Sequence, residues 1–155
     1  MNAVTLTPIG LVRSTRKEPT DDGWDNELAS IALDAARFRA DALAGLDAFS
    51  HVEVIFLCHL VDEAKVENGA RHPRGNPDWP RVGIFAQRGK DRPNRLGSTV
   101  CRVLRIEGTV LHVAGLDAID GTPVLDIKPW MDGFSPRGMR RQPGWADQIM
   151  EGYWS

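Results

Sequence analysis

Only two of the 155 residues are cysteine, Cys58 and Cys101, and both lie in apolar runs. Two thiols cannot found a disulfide framework, so they read as reduced core residues in a reducing compartment. Long hydrophobic stretches are missing as well. No run approaches the roughly eighteen apolar residues of a membrane-crossing helix, and MNAVTLTPIG has no basic flank leading into an apolar segment. A cytoplasmic protein without span or signal peptide is the expectation. The phosphate-loop, dinucleotide and nucleophile-elbow patterns are absent, which excludes the commonest nucleotide and acyl-transfer sites. Zinc-like spacing is lacking around the four histidines. His51 and His59 could share a strand face, but neither has a second ligand close by, and no metal is expected. His51 reads as a hydrogen-bonded structural residue and His59 as a residue bordering a pocket.

What is present is 42% hydrophobic and 26% charged, an ordinary balance for a soluble domain of this length. Short runs rich in Val, Ile, Leu and Thr, bounded by Gly, Pro, Asp or Asn, predict strands at 5–13, 27–33, 52–58, 82–87, 98–106, 109–113 and 124–127. Glu107-Gly108 reads as a hairpin turn. One helix is predicted over Ala35–Ala44, with Asp34 as its N-cap and Gly45 past its end, and a shorter one over Trp145–Met150. Many short strands and few helices predict a mainly β, single-domain antiparallel β-barrel over residues 1–155, with six or seven strands. Its expected core is Ile55, Phe56, Val82, Ile84, Val100, Val103, Val113 and Leu125.

Charge is unevenly spread. From Arg71 to Arg105 there are nine Lys or Arg against Asp78 and Asp91, a net of about +7, which leaves about −9 for the remainder. A focused basic field suits one anionic ligand or a nucleic-acid backbone at one place. Its centre is VGIFAQRGKDRPNRLG (82–97), a strand-like opening that breaks into a loop with Arg88, Lys90, Arg92 and Arg95 between Gly and Pro. Such a loop is either solvated or built around a ligand. The 62–80 excursion adds Arg71 and Arg74, and loops of that length are commonly functional or mobile.

The turn GLDAIDGTP (115–123) is either a capped surface loop or a carboxylate-bearing site. VLDIKPW follows, and alternation puts Asp126 and Lys128 on one face ahead of Trp130. These three form either an ion pair with an aromatic plug or a ligand wall with a stacking ring.

Together, IGLVRS (9–14), DGW (22–24), GLDAFSHVEVIFLCH (45–59), GIFAQRGKDRPNRLG (83–97) and GLDAIDGTPVLDIKPW (115–130) resemble the TsaA-like family, also called the YaeB or TrmO family. The resemblance covers roughly residues 5 to 135. It implies a β-barrel methyltransferase that uses S-adenosylmethionine, works as a homodimer with cofactor near the subunit interface, and methylates the exocyclic nitrogen of threonylcarbamoyl-adenosine in tRNA. Family motif positions place cofactor contacts on Asp22, Gly23 and Trp24, on His59 and Leu60, on Arg88 and Ser98, and on Gly115, Leu116, Asp117 and Ala118. The family's FATR, RPNPIG and DIKPY are FAQR, RPNRLG and DIKPW here. The additional C-terminal domain of some bacterial members is not expected.

The chemistry of the residues agrees with that implication. A guanidinium such as Arg88 pairs with a carboxylate, Asp117 accepts ribose hydroxyls, and Leu116 or Phe85 covers adenine. Lys90, Arg92, Arg95, Arg71 and Arg74 are then candidates for RNA phosphates, with Asp126, Lys128 and Trp130 as candidate substrate contacts. No residue stands out as a catalytic acid or base. The late aromatics Trp130, Phe134, Trp145, Tyr153 and Trp154 suggest either a dimer interface or a tail packed on the barrel. Two other readings keep part of this pattern: a methyltransferase of a small metabolite, and a non-catalytic RNA- or nucleotide-binding barrel.

Overall fold

A computed structural model describes all 155 residues. Six strands close into an antiparallel barrel in the order β1 (Gly10–Ser14), β2 (Leu28–Leu33), β7 (Val110–Ala114), β6 (Leu96–Glu107), β3 (His51–Leu57) and β8 (Pro123–Pro129), with β8 returning to β1. β4 (Ala70–Arg71) and β5 (Val82–Gly83) form a separate two-stranded pair. One helix, α1 (Gly144–Ile149), lies near the C-terminus, and several 3-10 turns fill the connections. The mainly β barrel predicted from the strand pattern is the observed fold.

Alternation explains the core. Val12, Ala29, Ile31, Leu33, Val52, Val54, Phe56, Cys101, Leu111, Val113 and Val124 point inward and are buried. Phe56, Ile84 and Val113 were expected there and are buried. Ile55 is paired with Ser98 on the other parity, and Val100, opposite Glu53, is 39% exposed. Val82, Val103 and Leu125 are half-buried. Ile55, Val100 and Leu125 have one cause: with a period of two, they stand beside inward-facing Val54 and Phe56, Cys101, and Val124, and neighbours cannot both face inward. Val103 has inward parity and packs against the core, but at a register shift between β6 and β7, and Val82 lies outside the barrel in the two-residue β5.

Three element boundaries also differ from the sequence expectation. The first strand begins at Gly10, not at residue 5, because β8 offers partners only at Pro123 and Val124, and residues 1–8 are exposed. The 35–44 segment is no α-helix. Its two buried or half-buried apolar residues, Phe38 and Leu43, would lie roughly 140° apart on a helix, so no single face could bury both. Instead Asp34 closes a turn, accepting from Ala36 N–H at 3.0 Å, and a 3-10 turn at Ala40–Leu43 seats Leu43 in the core. The expected 82–87 strand pairs only at Val82–Gly83. Ile84 then turns inward in a 3-10 turn, and buried Gln87 donates to the carbonyls of Val82 (2.9 Å) and Arg71 (3.1 Å). Two-residue β4 carries no pattern from which it could have been expected.

Gly10 sits where β1 must approach β2 closely. A Cβ there would meet the carbonyl oxygen of Ala32, a backbone atom that cannot swing aside. Gly10→Ala is therefore expected to destabilise the fold by about 3 kcal/mol, the upper part of the usual overpacking range. Urea unfolding followed by tryptophan fluorescence measures it, and a loss below about 0.5 kcal/mol would contradict this reading of the strand pair.

Candidate functional site

The turn after β7 enters one end of the barrel. Gly115 adopts φ of 81°, a left-handed conformation natural to glycine, and its N–H donates to Glu27 O at 3.0 Å. Leu116 and Ala118 are then buried in the core, so only their main chain is available to a ligand. Asp117, between them, is half-buried. Thr99 Oγ1 donates to one of its carboxylate oxygens and Tyr153 O–H to the other. Farther on, His59 lies over the turn, its Nε2 within 3.9 Å of where a Cβ of Gly121 would stand.

The DGW segment reaches the same place by another route. Trp24 is buried beneath the Arg16 guanidinium, which lies 4.0 Å from its ring centroid, and its indole N–H donates to Thr20 O at 3.2 Å. Its ring is a structural plug rather than an open stacking surface. The following Asp25 is held by Arg102, which donates to Asp25 Oδ1 and Asp25 O at 2.6 Å each. Glu27 accepts from Ser14 Oγ (3.0 Å) and Thr15 Oγ1 (2.7 Å). Burial opposes its charge, but these bonds and Arg16 prevail and hold its carboxyl below the ordinary value. Residues 23–25 also pair with 152–154, through Gly23 N–H to Gly152 O (3.2 Å), Trp24 N–H to Tyr153 O (3.0 Å) and Asp25 N–H to Trp154 O (2.8 Å).

Arg88 approaches along the outer face of the barrel, where it donates to Ser98 O at 2.7 Å and leaves most of its donors exposed. Ser98 Oγ in turn donates to Glu53 at 2.8 Å. Burial pushes the Tyr153 phenol well above its usual range and Asp117 adds to it, while Arg74 and Arg88 oppose from nearby. Arg74 also reaches Asp22 at 3.6 Å. Asp22, Gly23, Arg74, Arg88, Ser98 and Asp117 are therefore brought together, with Tyr153 and Thr99 among them. Phe85 (77% exposed) and Leu60 (60% exposed) leave apolar surface open to solvent. A depression of about 600 Å³ beside Asp22, lined by Thr15, Arg16, Lys17, Glu18 and Thr20, has no apolar wall and is a poor place for an aromatic base.

The remaining cations are largely occupied within the chain. Arg71 pairs with Asp91 at 3.1 Å, Arg92 donates to Gln87 O at 2.6 Å, and Arg95 donates to Val61 O at 3.0 Å. Lys90 is half exposed, 3.7 Å from Asp91. Asn94 and Arg95 have φ of 63° and 53°. The proline that the family carries at position 95 is confined to φ near −65°, so this loop has its own path.

Asp126 and Lys128 share the outer face as expected, bonded to each other at 2.6 Å, and that bond pushes the Lys128 ammonium upward. Register through Ile55 places Asp126 two strands, roughly 10 Å, from Ser98. Trp130 N–H donates to His51 O at 3.0 Å, extending the β8 edge. His51 Nδ1 lies 2.7 Å from Ser50 Oγ, as a structural histidine would. No group of three or more His, Cys, Asp or Glu is placed to hold a metal ion. No helix is long and apolar enough to cross a membrane. Burial pushes the Cys101 thiol up to about 12 and raises that of Cys58, so both stay protonated. Tyr153, Thr99, Asp25 and Arg102 escaped the sequence reading as site residues. Asp25 and Arg102 stand 77 positions apart and carry no local signal; the sequence around Tyr153 shows only one of several late aromatics.

Comparison with known proteins places this geometry in a family. Residues 12–135 match the family model described as the tRNA-methyltransferase O N-terminal domain. The tRNA (adenine(37)-N6)-methyltransferase of Escherichia coli is 34% identical over 142 residues, which cover 84% of this chain and 59% of that protein. A Methanothermobacter thermautotrophicus protein named "probable S-adenosyl-L-methionine-binding protein" is 34% identical over 140 residues, 87% of this chain and 96% of that one. A crystal structure of TrmO from Pseudomonas aeruginosa superposes with a TM-score of 0.74 at 28% identity, over 94% of this chain and 62% of the other. The chain thus spans about three fifths of the E. coli protein and of the P. aeruginosa structure, and nearly all of the archaeal protein. With four fifths of its length matched and its barrel shared, the chain belongs to the family of the tRNA-methyltransferase O N-terminal domain.

Proposed function

We propose that this protein is an S-adenosylmethionine-dependent methyltransferase that acts on the exocyclic nitrogen of threonylcarbamoyl-adenosine in tRNA. The observation that carries the reading is the convergence of Asp117, Arg88 and the 22–24 segment at one end of the barrel, in a chain whose relatives are named for this cofactor and for adenine 37 of tRNA. The donor set fits the cofactor. Asp117 accepts ribose hydroxyls, the free donors of Arg88 pair with the amino-acid carboxylate, and the exposed ring of Phe85 covers adenine. The cofactor supplies an activated methyl on a sulfonium, so transfer is a displacement governed by positioning. The residues gathered here bind and orient; none is required as a nucleophile.

S-adenosylmethionine is expected to bind with micromolar affinity, about −8 kcal/mol. Arg88→Ala is expected to weaken it by about 1.5–3 kcal/mol, as for a lost hydrogen bond to a charged group. Calorimetry decides both points: no heat with the wild type at hundreds of micromolar removes the methyltransferase reading, and an unchanged mutant removes only the role of Arg88.

For the acceptor, the half-exposed Lys90 and the exposed arginines of the 131–144 run (Arg137, Arg140 and Arg141) are the groups that meet phosphates. Arg71, Arg92 and Arg95 serve chiefly to hold the loops. Replacing Arg137, Arg140 and Arg141 by alanine should reduce the salt slope of tRNA binding by about 0.7 log units per lost contact, with cofactor affinity unchanged. A small-metabolite methyltransferase is the second reading, favoured by the internal bonding of the loop guanidiniums. Filter binding in which wild type holds threonylcarbamoylated tRNA no better than an acidic control protein would select it.

A homodimer belongs to the same proposal. Leu96, Val100 and Leu104 are 39–47% exposed on the outer barrel surface, with Phe134 (79%) and Met139 (99%) beyond it, apolar surface suited to a second copy. Light scattering should give twice the 17.1 kDa chain mass at micromolar concentration. A monomer mass would remove the dimer and leave the cofactor site to a single chain.

A further inference from the structure

Tyr153 is the only tyrosine of the chain, and its place is settled by backbone before its hydroxyl is considered. The 152–154 segment, which turns back after α1, receives three main-chain bonds from 23–25. Asp25 in that pair is clamped by Arg102, and α1, just ahead, is tied to the long loop by Trp79 Nε1 donating to Gln148 Oε1 at 2.8 Å. Trp154 packs edge-on against Tyr153, with ring centroids 4.9 Å apart and planes at 85°. The segment is therefore anchored without the phenol oxygen. That oxygen is spent on Asp117, opposite the hydroxyl of Thr99. A carboxylate has about four acceptor positions on its two oxygens. One hydroxyl on each oxygen fixes the plane of the group and leaves one acceptor position per oxygen free. Two remaining acceptor positions, one per oxygen, equal in number the hydroxyls of a vicinal diol.

We propose that Tyr153 is a positioning residue, which with Thr99 holds the Asp117 carboxylate in the plane that accepts both hydroxyls of a nucleoside ribose. This rests on the reading of the Gly115–Ala118 turn as the nucleoside end of the cofactor site. The phenol stays protonated through the neutral range, so it remains a donor to Asp117. The C-terminal segment is thus part of the site, and the diol is recognised through a contact between two segments 36 residues apart.

The test compares S-adenosylhomocysteine with its 2′,3′-dideoxy counterpart by calorimetry. Tyr153→Phe is expected to weaken the ribose form about tenfold and leave the dideoxy form unchanged, so that preference for the diol falls. Equal weakening of both ligands, or no change in either, overturns the proposal, since a purely structural tyrosine would not distinguish them. Should the variant fold poorly, 3-fluorotyrosine incorporation labels Tyr153 alone. Its single fluorine resonance is expected to move on adding S-adenosylhomocysteine and to stay in place with the dideoxy form; a resonance that ignores both overturns the proposal as well. Wild type that binds neither ligand removes the cofactor reading and this inference together, an outcome distinct from selective failure in the variant.

Discussion

The seam between β1 and β8 is the constraint on which the rest depends. Strand β1 pairs with β2 over five positions but with β8 over only two, Gly10 with Val124 and Leu11 with Pro123. Bonds outside the strands complete the closure: Ile9 N–H to Val124 O at 2.8 Å, Val12 N–H to Thr122 O at 2.9 Å, and Gly121 N–H to Val12 O at 2.8 Å. Closure removes the exposed edges that a six-stranded sheet would otherwise present. Gly121 and Thr122 end the turn that carries Asp117. The bonds that close the barrel therefore also fix the candidate site, which is how a loop acquires the rigidity of a sheet.

The basic segment shows how a dense charge can be mostly structural. Loops without ladder partners have carbonyls to satisfy, and Arg92 and Arg95 satisfy those of Gln87 and Val61, while Arg88 takes the carbonyl of Ser98 at the start of β6. Arg71 is neutralised by Asp91. The left-handed residues Arg74, Asn94 and Arg95 lie in these same loops. Backbone strain of that kind persists where surrounding bonds over-determine it, and the arginine forks provide those bonds. A net charge of about +7 along the sequence thus becomes a few open cations around one site.

Motif order and strand periodicity made much of this legible. All six barrel strands, the hairpin at Glu107-Gly108 and the short terminal helix follow from local pattern, with boundaries shifted by a few residues. Asp22, Arg88, Ser98 and Asp117 were nameable as candidate site residues because motifs keep their order whatever the fold does. Parity was harder to read. In VEVIFL the buried residues are Val52, Val54 and Phe56, yet composition alone commends Ile55 equally. The 35–44 segment has helical composition but not helical periodicity, and the core's need for both Phe38 and Leu43 overruled propensity.

By itself the sequence determined what is local: the alternation that makes six strands, the glycines that allow Gly10 to touch β2 and Gly115 to turn, and the residue types available to a nucleoside cofactor. The tertiary structure alone decided the pairings that cross long stretches of chain. Thr99 and Tyr153 flank Asp117 from 18 and 36 positions away, and Arg102 reaches Asp25 across 77. It also decided which cations stay free and that Trp24 and Leu116 are packing rather than ligand surface. The physical reason is that hydrogen-bond partners and burial are set by where strands close in space, and no period along the chain encodes a contact made only after closure.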